Sequence, residues 1–109
     1  MLLPSDPGRG VFHSRWDIEI IALGLMGECR FGDFQRRLGI SRKVLSERLR
    51  QLVAEDFFER RLYQARPPRY EYRLTPKGKA LRVAIAAMAA WVREWRPGLE
   101  DSWLIEPHE

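Results

Sequence analysis

Residues 41–50 read Ser-Arg-Lys-Val-Leu-Ser-Glu-Arg-Leu-Arg. At helical spacing, Lys43, Glu47 and Arg50 fall opposite Leu45, Leu49 and Leu52, with Ser46 on the flank and Arg42 in the first turn. Arg and Lys donate to O6 and N7 of guanine, a carboxylate accepts from N4 of cytosine, and a hydroxyl does either. Such groups on one helix suit the DNA major groove, which is ~12 Å wide and admits a single helix. Ser41 precedes them as the expected N-cap and lies at the same edge. A second polar group, Gln64, Arg66 and Arg69, surrounds Pro67-Pro68, and is suited to phosphate or minor-groove contact.

Other chemistry is sparse. Cys29 is the only cysteine, which excludes an internal disulfide and a multi-cysteine zinc site. Arg30 beside it could favour a thiolate, and Glu28 opposes that, so Cys29 is a candidate redox-sensing thiol set against an ordinary small residue in a turn. His13 and His108 lie near opposite ends, without a cluster at metal spacing, so no metal is expected. There is no nucleophile elbow, P-loop, glycine-rich dinucleotide turn or His-Glu-x-x-His, and the neighbours Glu55 and Asp56 do not face each other on a helix. Neither an enzyme nor a cofactor is expected.

The charge is unevenly placed. The 109-residue chain has a formal charge of +4. Residues 30–82 carry 15 basic residues against six acids, a net of +9, and twelve of those cations are Arg, which favours bidentate phosphate or base-edge contact. Residues 99–109 carry four acids and no Lys or Arg. The length fits one domain with a modest core, so a second subunit would help. No apolar run approaches the ~20 residues that span a bilayer. Met1-Leu2-Leu3-Pro4-Ser5-Asp6 lacks the pattern of a signal peptide, and the single cysteine suits a reducing cytoplasm.

The elements that must position these groups follow from periodicity. Residues 1–14 read as an arm, 15–96 as the domain and 97–109 as an acidic tail, whose Trp103-Leu104-Ile105 is expected to dock on the last helix or a partner. A first helix is expected over about 15–26. Its stripe is Ile18, Ile21, Ala22 and Leu25, and Ile20 and Leu23 on the other side suggest cover by a second subunit. A short helix over about 32–38 ends at Gly39, and Ser41 opens a third. Two alternating segments, 58–63 and 69–74, form a basic hairpin. Its tyrosines, Tyr63, Tyr70 and Tyr72, are expected mostly against the body of the domain. Thr75-Pro76 starts a last helix reaching about Trp95, with Leu81, Ala84, Ile85, Met88, Trp91, Val92 and Trp95 as its stripe. Its Ala86, Ala87, Ala89 and Ala90 allow close approach of another helix. The fold class is mainly α with a small β-hairpin, a winged helix-turn-helix.

The chain resembles the HxlR-type winged-helix transcriptional regulators, related to the MarR-like group. The resemblance is carried by Trp16, by residues 30–34 (Arg-Phe-Gly-Asp-Phe), by 39–52 (Gly-Ile-Ser-Arg-Lys-Val-Leu-Ser-Glu-Arg-Leu-Arg-Gln-Leu), by Arg60-Arg61-Leu62-Tyr63, by 67–72 (Pro-Pro-Arg-Tyr-Glu-Tyr) and by Leu74-Thr75-Pro76-Lys77-Gly78. It implies a bacterial or archaeal cytoplasmic homodimer that binds a pseudo-palindromic operator on double-stranded DNA and usually represses. It also implies a dimer built from the N-terminal segment, the first helix and the last helix. On those elements Trp16, Ile20, Leu23, Met88, Trp91 and Trp95 are the expected contacts. Thiol-sensing members carry a cysteine in the arm before the helix-one Trp, and residues 1–15 here hold none.

Three alternatives stay open. Trp91 and Trp95 could line a pocket for a small-molecule effector instead of packing in the core or dimer. The domain could be a protein-interaction or dimerisation module without sequence-specific DNA binding, which the +9 centre opposes. RNA binding would need exposed stacking aromatics.

Overall fold

The structure is a computed structural model, and it describes residues 14–96. The elements run α1 (Arg15–Leu25), α2 (Phe31–Leu38), α3 (Arg42–Ala54), β1 (Phe58–Gln64), β2 (Arg69–Leu74), α4 (Pro76–Lys79) and α5 (Arg82–Trp95). The arm before Ser14 and the tail from residue 97, with Trp103-Leu104-Ile105, lie outside the described residues.

Helices α1, α3 and α4 begin where a side chain satisfies free backbone N–H groups. Ser14 Oγ accepts from Trp16 N, and Asp17 Oδ2 accepts from Ser14 N, a reciprocal capping box that starts α1. Ser41 Oγ accepts from Val44 N at 3.1 Å and starts α3. Gly39, at φ 67°, ends α2 in the left-handed region where glycine carries no Cβ penalty.

The core gathers Ile20, Ile21, Leu23, Phe34, Leu45, Leu49, Leu52 and Phe58, all essentially without solvent contact. Phe34 and Phe58 meet edge to face at 6.1 Å between ring centres. Helix α1 is the central member, touching α3, α5 and β2. This corrects one expectation. Ile20 and Leu23, assigned to a subunit contact, are each 0% exposed within the single chain. The two-faced pattern of α1 arises because the chain's own elements surround it, so no partner is needed to cover those residues.

Strands β1 and β2 pair antiparallel, Phe58 opposite Leu74 and Leu62 opposite Tyr70, with an irregularity between Leu62 and Gln64. Arg30 bridges Glu71, and Tyr72 N donates to Cys29 O, so the α1–α2 link lies along the free edge of β2. The base of the hairpin is tied twice. Thr75 N donates to Phe57 O, and the Thr75 hydroxyl donates to Asp56 O while accepting from Gly78 N. The final helix differs from expectation. It is not continuous from Pro76 to Trp95. Leu81 N bonds to Gly78 O in a tight turn that ends α4, and α5 starts afresh beyond it.

Candidate nucleic-acid interface

Leu45, Leu49 and Leu52 hold α3 against the core, which turns its other side outward. Arg42, Lys43, Ser46, Glu47 and Arg50 are all exposed there. Ser41 is exposed too, and its hydroxyl is engaged in capping. Beyond α3 the wing carries Arg66 and Arg69 at its tip, both exposed. Gln64 behaves differently from a free contact. Its amide nitrogen donates to Arg66 O and Pro67 O, closing the wing turn.

A cleft of about 470 Å3 separates α3 from the wing. It brings together Arg42, Ser46 and Arg69 with a residue not expected from sequence as a DNA contact, Arg30. The Arg30 guanidinium lies 4.3 Å over the Tyr63 ring and that of Arg42 lies 5.0 Å over Phe31. Stacking holds both cations in place while leaving N–H groups free for an acceptor. On the other side of Ser46, a second cleft of about 480 Å3 joins Arg50 to Arg60, and Arg60 stacks 4.2 Å over Tyr70. The tyrosines are placed otherwise than expected. Tyr63 and Tyr70 are exposed and serve as platforms for arginines, and Tyr72 alone is half-buried. Arg30 and Arg60 were counted in the basic window. Their partners lie across the fold, so no local spacing marked them.

The ion pairs sort the arginines into two groups. Arg36 pairs with Asp33, Arg37 with Glu28, Arg48 with Asp17, Arg61 with Glu59 and Arg73 with Glu71. None of these cations belongs to the clefts beside α3. Among the described residues, Arg30, Arg42, Lys43, Arg50, Arg60, Arg66 and Arg69 form no ion pair, although Glu47 shares their face. Unneutralised cations on a convex helix and its flanking wing form a surface complementary to a polyanion.

Cys29 lies behind the hairpin. Its thiol donates to Glu71 Oε2 at 3.8 Å. Burial pushes its pKa up and the Glu71 carboxylate adds to this, against the opposing pull of Arg73 and Arg30. The thiol is therefore the favoured form, contrary to what a thiolate sensor needs. Among the described residues no group of three or more His, Cys, Asp or Glu side chains could hold a metal. No helix among them is long and apolar enough to cross a membrane.

A family model described as HxlR-like helix-turn-helix matches residues 11–100. The chain is 43% identical over 83 residues to the HTH-type transcriptional regulator Rv3095 of Mycobacterium tuberculosis, covering 76% of this chain and 52% of that protein. It is 38% identical over 90 residues to the HTH-type transcriptional regulator YtfH of Escherichia coli, covering 79% of this chain and 71% of YtfH. The chain thus spans about half the length of the mycobacterial relatives it matches. Among solved structures, the redox regulator HypR in its reduced form superposes with a TM-score of 0.73 at 30% identity, over 84% of this chain and 91% of HypR. The reduced transcriptional regulator YodB of Bacillus subtilis gives 0.69 at 32%, over 90% of this chain and 99% of YodB.

Proposed function

The chain belongs to the HxlR-like helix-turn-helix family, a family of transcriptional regulators and not of enzymes, and from that premise we propose that it regulates transcription by binding duplex DNA with α3 in the major groove and the wing on the flanking backbone. The observation that carries this reading is the sorting of cations: those on the outer face of α3, in the clefts beside it and at the wing tip lack carboxylate partners, and those elsewhere on the helix-turn-helix and the hairpin have them. Arg42, Lys43, Ser46, Glu47 and Arg50 read or position on base edges, and Arg30, Arg66 and Arg69 hold phosphate. The regulator acts in the cytoplasm as a homodimer on a pseudo-palindromic operator, with successive major grooves ~34 Å apart. Repression is the sign that the family resemblance implies.

Fluorescence anisotropy with random and palindromic duplexes over a salt series tests the reading. Arg69→Ala should weaken binding to every sequence and flatten the slope of log Kd against log salt by about one unit. Lys43→Ala or Arg50→Ala should change the ranking among palindromic variants instead. Micromolar or weaker binding with no salt slope would turn the reading towards the protein-interaction module.

A further inference from the structure

Alternation along the hairpin places Glu59, Arg61, Glu71 and Arg73 on the face turned away from Arg60 and Tyr72, and so away from α3. A cavity of about 310 Å3 opens on that face, between the hairpin, the C-terminal end of α1 and the α4–α5 turn. Four cations from separate elements line it: Arg61 from β1, Arg73 from β2, Lys79 from α4 and Arg82 from α5. Two of them are held by neighbours, Arg61 Nε donating to Glu59 at 3.0 Å and Arg73 Nε to Glu71 at 2.9 Å. Lys79 and Arg82 have no carboxylate partner among the described residues. Glu28 on the rim is engaged by Arg37 at 3.3 Å. The apolar part of the wall comes from Leu25 and Leu74, beside Gly24, Gly27 and Cys29.

We propose that this cavity binds a small dianionic organic molecule, its acidic groups on Lys79 and Arg82 and its carbon skeleton against Leu25 and Leu74. The reason is charge and shape together. Four cations against Glu28 and Glu59 leave the lining two positive charges in excess. The volume lies at the lower end of small-molecule sites, which run about 300–1,000 Å3. A flat surface would let those cations hydrate freely, whereas a concave wall with an apolar side favours a ligand that satisfies both. Binding at this cavity stands on its own. Any effect on DNA affinity, through the wing strands that carry Arg61 and Arg73, rests on the regulator reading above.

The test uses phenyl phosphate and phthalate as probes, at fixed ionic strength, with benzyl alcohol as the neutral control. Cys29 lies in the cavity wall and reports occupancy through its reaction with a disulfide reagent. At a probe concentration about four times Kd, the reaction should slow about fivefold, by mass action. K79A/R82A should lose this protection, and R42A/R69A, altered only on the α3 side, should keep it. R82Q alone, at an exposed helical position, gives the same readout if the double variant fails to fold. Absence of protection in the unaltered protein overturns the proposal. So does protection that survives R82Q but disappears in R42A/R69A, because the anion would then be held on the α3 face. Loss of DNA binding in the anisotropy experiment leaves this result untouched, so the two readings fail separately.

Discussion

Gly78 has no room for a side chain. A Cβ there would meet the Phe57 carbonyl and lie 2.7 Å from Leu74 Cδ2, and the carbonyl is backbone held by Thr75. Gly78→Ala should therefore lower stability by about 2 kcal/mol, read as a shift in the urea midpoint. Asp17 is a second such point. It is fully buried, accepts from Ser14 N and faces Arg48 of α3 at 3.6 Å. Asp17→Ala removes the capping box and leaves Arg48 facing the core without its anion, at a cost of about 3 kcal/mol. Asp17→Asn should cost less, because the amide oxygen still accepts from Ser14. At Cys29 the raised pKa has a kinetic consequence. The thiolate is the reacting form, so alkylation should accelerate with rising pH through the neutral and mildly alkaline range without levelling off. Glu71→Gln removes a charge that opposes the thiolate and should raise the rate at neutral pH. Neither Asp17 nor Gly78 was marked from sequence as a tight point. Ser14-x-x-Asp17 is a readable capping signature, but the pairing with Arg48 links positions 31 residues apart and is set by the α1–α3 packing.

Elements with a local cause were readable in advance. Ser41 before an apolar stripe marked α3, Gly39 marked the end of α2, and alternation with a Pro-Pro turn marked the hairpin. The break between α4 and α5 was not, because Ala80 and Leu81 are good helix formers and the turn is imposed by Gly78 packed on Phe57. The wing likewise shows what alternation cannot tell. It assigned faces, but not that Tyr63 and Tyr70 would carry arginines on the surface. Tyr63→Ala should loosen Arg30 and weaken DNA binding about threefold to tenfold while leaving the fold intact, since the ring is exposed and its cation–π contact is of order 1 kcal/mol.

At the scale of the whole molecule, the described residues leave an apolar face on α5. Val83 is 77% exposed, Trp91 57% and Trp95 63%, with Met88 beside them, whereas Ile85 and Val92 turn inward. Helical spacing separated an apolar stripe from alanines, but it could not say which part of that stripe the chain covers itself. Trp91→Glu with Trp95→Glu should leave the domain folded and shift it from dimer to monomer in sedimentation, with loss of preference for palindromic over single half-sites. A net charge of +4 says little of function by itself, whereas its position and pairing say more. The central claim is that, within the helix-turn-helix and the hairpin, unpaired cations face DNA and paired ones do not. Its most direct test is the salt slope of DNA binding for R30A/R69A against R36A/R37A, two variants that each remove the same charge. The slope should fall by about two units in the first and stay at the unaltered value in the second. Equal losses in both would contradict the assignment of α3 and the wing as the DNA-binding face.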